Sequence, residues 1–190
     1  MSGLPVRLTG LISPPILNAP TTATLHGIPD GIPGATATLR AMRQMVKDSI
    51  RDPVQGVRDA ALGIITGTRW MQQIRDIQSW VQDNIMYVLD PTDSEGGVEL
   101  VQTPQVTLQK RVGDCDDQAT LVAALLSVIG HPCRFIALGF QGQPLSHVLC
   151  QTKVGSSGRD SQDWCAVETI KPEPLGYMPP GVTSHYILKV

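Results

Sequence analysis

Apolar residues recur at two different periods along this chain, and the change between them comes near residue 130. In WMQQIRDIQSWVQDNIMYV, residues 70 to 88, Ile74, Ile77, Val81 and Ile85 return every three or four positions. That spacing puts one stripe on a helix, with Trp70 and Trp80 beside it. Leu39, Met42, Met45, Val46 and Ile50 predict an earlier helix from about Thr36, and Val54, Val57, Ala61, Ile64 and Ile65 predict a second. Asp52–Pro53 separates them, because the residue before a proline is pushed out of helical geometry. These three helices are expected to cover one side of a core. A short helical piece follows Pro104, and then RVGDCDDQATLVAALLSVIG, residues 111 to 130, leads from a polar start into a long apolar run.

Beyond it the pattern shifts towards strands. CRFIALGF (133–140), SHVLCQTKV (146–154), DWCAVETI (163–170) and SHYILKV (184–190) are short and separated by turn chemistry. GSSGRDSQ (155–162) reads as a flexible hairpin tip, and LDPTDSEGGVELVQTP (89–104) as an exposed loop. Helices, then one helix bearing Cys115, then an antiparallel sheet make an α+β layout. Residues 1–34 are rich in Pro and Gly with no sustained period, which predicts an extended arm ahead of a domain at 35–190. Leu4, Val6, Leu8, Leu11, Ile12, Ile16 and Leu17 are too many apolar residues for a solvated tail. The arm is therefore expected to pack on its own domain or on a neighbouring subunit.

Composition narrows the function classes. At 190 residues, 42% hydrophobic and 17% charged, the chain suits one folded domain with a real core. A net charge of −2 gives no electrostatic case for nucleic acid or an anionic membrane. The longest apolar run, Ala119 to Ile129, is too short to span a bilayer and contains Thr120 and Ser127. The first 20 residues have no basic stretch followed by an apolar block, so no secretory signal is expected and a cytoplasmic location follows. Cys115, Cys133, Cys150 and Cys165 are then expected as reduced thiols.

Candidate chemistry centres on Cys115. Gly113 is permissive, and Asp114 suits the N-cap of a helix starting near residue 115. A thiol in a helix's first turn feels unpaired amide donors and the positive end of the dipole, both favouring thiolate. Asp114, Asp116 and Asp117 oppose that, so a nucleophile here needs an imidazolium nearby. The alternative is a packing residue, since free cysteine is commonly buried; Cys133, Cys150 and Cys165, in apolar strand patterns, are expected in the core. No C-x₂₋₄-C pair and no H-x₃₋₅-H spacing occurs, so neither a metal nor another cofactor is expected. The histidines are His26, His131, His147 and His185. His147 begins or lies on a strand, and Glu168, a carboxylate in an otherwise apolar strand, needs a partner. Pairing of 146–153 with 164–170 as a hairpin could bring the two together. Each alone could equally be an ordinary structural residue.

Taken together, three segments carry a family resemblance. Gly113-Asp114-Cys115-Asp116-Asp117-Gln118-Ala119, followed by LVAALLSVIGHPCRFIALG, resembles the signature of transglutaminase-like cysteine enzymes, G-x-C-x-x-x-A before a helix, a turn and a strand. SHV, with His147, is similar to their histidine strand, and WCAVET to their aspartate segment, with Glu168 where Asp is usual. The family's tryptophan after the histidine is replaced by Val148-Leu149. The resemblance covers about residues 70–175, and VELVQTP upstream with PLGYMPP downstream resembles members encoded by tailed bacteriophages. It implies a papain-like core and acyl transfer through Cys115, His147 and Glu168, with Gln102, Tyr87 and Gln118 as candidate oxyanion or supporting residues. It implies a protein or peptide substrate, and a protease or amidase ahead of a crosslinking transamidase. The rival expectation is a phage assembly or virion component whose triad is idle or used once, docking on phage structural proteins through residues 1–34.

Overall fold

The computed structural model describes residues 22–25, 31–51, 56–90, 99–155, 159 and 162–190. Strand β1 (Thr22–Leu25) precedes helices α1 (Ile32–Arg51), α2 (Val57–Ile64) and α3 (Trp70–Asn84). Then come β2 (Met86–Tyr87), β3 (Glu99–Gln102), α4 (Pro104–Lys110), β4 (Val112–Gly113) and α5 (Cys115–Val128). Strands β5 (Cys133–Phe140), β6 (Leu145–Lys153), β7 (Trp164–Val167) and β8 (Val182–Lys189) complete it.

α5 decides how the rest assembles. Every residue from Asp116 to Leu126 is buried, so this helix has no solvent face and must be covered all round. Helices α1 to α4 and strands β5 and β6 supply the cover. Leu39, Met42 and Val46 of α1 and Ile74, Ile77 and Val81 of α3 turn their stripes onto it. The sheet has the order β7-β6-β5-β8, with every neighbouring pair antiparallel. Alternation along it puts Phe135, Ala137, Val148, Cys150 and Val167 into the core around α5. Ile136, Leu138, Leu149 and Ala166 form a smaller cluster on the opposite face. This is the α+β layout that the order of elements predicts, and the papain-like core that the resemblance implies. Among the described residues no helix is long and apolar enough to cross a membrane.

The expected 89–104 loop needs correction. Its last residues form β3, which pairs antiparallel with β1 from Thr22↔Gln102 to Leu25↔Glu99 and fully buries Val101. Four residues between turn formers are too few to show a period of two, so the pattern hid a strand. Glu168 also lies differently: β7 ends at Val167, and the carboxylate stands just past the strand rather than inside it. Helix α1 begins at Ile32, ahead of the expected Thr36. Residues 1–21 and 26–30 of the arm (His26 included), the Asp52–Pro53 break, and residues 91–98, 156–158 and 160–161 lie outside the described residues.

Candidate active site

Gly113 brings the chain to the start of α5 so closely that a Cβ there would stand 2.6 Å from the Asp117 Cβ. Asp114 then caps the helix, its side chain accepting from the N–H groups of Asp116 and Asp117 at 3.2 and 3.5 Å. Cys115 is the first helical residue and half-buried, where the amide dipoles favour a thiolate. None of the four cysteines is in a disulfide. Cys133 and Cys150 are buried as expected, whereas Cys165 is only partly so.

The acidic flank is a packed cluster rather than a solvated one. Asp116 and Asp117 are each 1% exposed, and one oxygen from each of Asp114, Asp116 and Asp117 lies within 4.8 Å of the others. Asp117 accepts from the Gln102 N–H at 2.6 Å and from the Gln102 amide Nε2. Burial still pushes its carboxyl up to about 7; the Gln102 bonds oppose this, and the charges of Asp114 and Asp90 add to it. Asp116 finds no hydrogen-bond partner for either oxygen. Burial above all, then its contact with Asp114 and the neighbouring charges, hold its carboxyl well above the usual range. The trio is the one group among the described residues with the spacing of metal ligands. Asp114 Oδ1 and both Asp117 oxygens accept from N–H donors, and the helix N-terminus disfavours a cation there.

His147 and Glu168 come together. The His147 Nε2 lies 2.9 Å from Glu168 Oε2, and the Glu168 side chain is 3% exposed. The second carboxylate oxygen accepts from the Ile170 N–H at 2.8 Å. Burial would raise this acid, but the hydrogen bond and charge of His147, with the Ile170 and Thr169 N–H groups, hold it below the usual carboxylate range. With Nε2 committed, Nδ1 is the imidazole nitrogen able to exchange a proton with another group. A bulge precedes His147: Leu138 pairs with His147, but Gly139 pairs with Leu145, leaving Ser146 as the extra residue. Bulges re-aim side chains, and a glycine inside an apolar strand is the sequence signal for one.

Two further residues, which sequence patterning did not single out, fix Glu168 from behind. Gln78 and Gln82, one turn apart on α3, each point an amide Nε2 at the Glu168 carbonyl at 3.0 Å. Gln82 also reaches the carbonyls of Lys171 and Glu173. Polar residues four apart beside an apolar stripe were the available signal.

The three candidate supporting residues separate. Gln102 holds Asp117 and the Val112 carbonyl, 3.2 Å away, with its Nε2. Gln118 is fully buried and donates to the Gly113 carbonyl at 3.3 Å. Both brace the turn that presents Cys115. Tyr87 is 41% exposed and pairs opposite Gly113 in the parallel β2–β4 ladder. Partial burial raises its phenol, and Cys115, Asp114, Asp116 and Asp90 raise it further, so it stands near Cys115 as a protonated O–H donor.

The family model for the transglutaminase-like superfamily matches residues 61–169, a span containing Cys115, His147 and Glu168. Among solved structures, a protein of Cytophaga hutchinsonii described as a candidate cysteine protease resembles this chain with a TM-score of 0.49 and 16% identity. The match covers 75% of this chain and 50% of that one. A candidate protease of Parabacteroides distasonis gives a TM-score of 0.48 and 12% identity over 68% of this chain and 29% of its own. The chain thus spans half the length of the first and under a third of the second. No protein of curated function matches the sequence.

Proposed function

Because this chain belongs to the transglutaminase-like superfamily, we propose that it is a cysteine hydrolase, cleaving amide bonds of a protein or peptide substrate by acyl transfer. The observation that carries the reading is the 2.9 Å bond from His147 Nε2 to a buried Glu168 carboxylate, in a molecule whose Cys115 opens a capped helix. A histidine oriented by a buried acid is what a weakly basic nucleophile needs.

The steps are as follows. Cys115 gives its proton to His147 Nδ1, and its sulfur forms a bond to the amide carbon. The Cys115 N–H and the Tyr87 hydroxyl are suited to receive the resulting oxyanion. As the C–N bond breaks, the imidazolium protonates the leaving amine. Water, deprotonated by the same imidazole, then attacks the thioester and releases a carboxylate and the free thiol. Glu168 keeps Nε2 protonated throughout and stabilises the imidazolium.

Alkylation by iodoacetamide tests this. Cys133 and Cys150 are shielded by burial, so Cys165, half-exposed and with its thiol raised mainly by burial, is the internal control. Cys115 is expected to react at least tenfold faster than Cys165 at pH 7, with a midpoint below about 8.5, the ordinary thiol value. Equal slow labelling of both would refute the hydrolase. Added amines intercepting the thioester in preference to water would instead make the protein a transamidase.

A further inference from the structure

Four consecutive large apolar residues lie exposed beside the nucleophile. Met86, Tyr87, Val88 and Leu89 are 63%, 41%, 44% and 72% exposed, and the other exposed large apolar residues described, Ile32, Ile50, Leu62 and Met178, are scattered singly. Single exposed apolar residues are ordinary, whereas a contiguous run marks a surface that something covers. The run is held in place by main-chain bonds. The Met86 N–H donates to the Arg111 carbonyl at 2.8 Å and the Val88 N–H to the Gly113 carbonyl at 3.2 Å.

The β2–β4 sheet has two strands, with Tyr87 opposite Gly113, two residues ahead of Cys115. Residues 86 and 88 turn their N–H groups to β4, so alternation turns the N–H and C=O of Tyr87 to the outer edge. No strand of the described residues pairs there. An edge with unmet main-chain groups is a template for one more strand. Its surroundings are acidic: Asp90 and Asp114 both act on the Tyr87 phenol. A second copy docking edge to edge would bring two such acidic clusters together, which like charges oppose.

We propose that the Met86–Leu89 edge docks the substrate: an extended peptide, free of acidic residues, pairs with the Tyr87 main chain and covers one face of this run, Tyr87 with Leu89 or Met86 with Val88, with a bulky apolar side chain. This deepens the cysteine-hydrolase reading and rests on it. Pairing at this edge places the peptide two strand spacings, about 10 Å, from β4, the strand that leads into Cys115. Withdrawing one leucine side chain from water corresponds to tenfold or more in affinity, so selection for such a residue is expected to be marked.

The test uses the full chain and tripeptide acyloxymethyl ketones, thiol-reactive mimics of a substrate carbonyl, with Leu, Gly or Asp scanned through each position. At one position the Leu probe is expected to inactivate at least tenfold faster than Gly, with Asp slowest. In the Met86→Ser, Leu89→Ser double variant, altered only at exposed positions, the advantage of Leu is expected to disappear. Rapid iodoacetamide labelling of Cys115 without any preference for Leu overturns the docking edge and leaves the hydrolase standing. Slow labelling of Cys115 overturns the hydrolase, and the docking edge with it. A dimer in light scattering that turns monomeric in the double variant assigns the edge to a second copy and likewise overturns the proposal.

Discussion

At Gly113 the need is for space rather than for unusual backbone angles. Its hypothetical Cβ would meet the Asp117 Cβ at 2.6 Å and its Oδ2 at 2.9 Å. The first of these belongs to the root of a side chain in a fully buried helix turn, so neither partner can swing aside. Gly113→Ala is therefore expected to push β4 away from α5 at a cost of about 1–3 kcal/mol, the range for overpacking a tight site. The same displacement loosens Tyr87, which pairs with Gly113, and the Asp114 cap that precedes Cys115. A lowered denaturant midpoint together with a higher alkylation midpoint for Cys115 would show both effects. Unchanged values for the two would mean that the turn has slack its close packing does not suggest.

Among the elements, α3 bears on the proposed chemistry without touching it. Its buried stripe, Ile74, Ile77 and Val81, packs in the core, while Gln78 and Gln82 hold the segment after β7 by its carbonyls. Gln78→Ala with Gln82→Ala leaves the buried Glu168 carbonyl without these donors, a desolvation cost of about 1–3 kcal/mol. The carboxylate then loses its fixed position against His147. Reaction with a peptide ketone is expected to slow at least tenfold, with iodoacetamide labelling less affected, because alkylation needs an imidazolium only near the thiol whereas the ketone also needs it oriented. Equal slowing of both reagents would mean general loosening rather than misplacement of Glu168. Helix α3 itself was legible, since its stripe repeats over four turns; the clamp was not, because which carbonyls face a helix is settled by tertiary packing. The same contrast holds elsewhere. β5 was readable to the residue as CRFIALGF, whereas β3, four residues long, needed its partner β1 to exist at all. Three separated motifs carry Cys115, His147 and Glu168, and the hairpin pairing of β6 with β7, with the His147–Glu168 bond beside it, was foreseeable. The Ser146 bulge and the burial of the aspartates were not, because neither follows from a local pattern.

At the scale of the molecule, the buried titratable groups pull stability in opposite directions with pH. Asp117, raised to about 7, and Asp116, raised well above the ordinary value of 3.8, bind protons in the folded chain that the unfolded chain has already lost. Their contribution is complete below about pH 4 and falls as pH rises, for Asp117 until about 7. His131, stacked on Trp70 with ring centroids 3.9 Å apart, is pushed by burial, and secondarily by Arg159, to about 4 from 6.5. Its contribution is complete above pH 6.5 and is lost as pH falls towards 4. Asp117 and His131 each change stability by up to about 1.4 kcal/mol per pH unit in opposite senses, and Asp116 adds to the falling side. Glu168, held low by His147, sets the acid limit, because its stabilisation disappears once it protonates. The denaturant midpoint is therefore expected to fall as pH rises from 5 to 7, the reverse of a chain whose buried carboxylates are all ion-paired. Asp117→Asn removes one descending contribution and should flatten that profile, while His131→Phe removes the ascending one and should steepen it. Midpoints measured at four or five pH values for the three proteins decide the matter. A parent profile that rises with pH, or two variants that tilt the same way, would show that Asp116 and Asp117 are ionised in the folded chain.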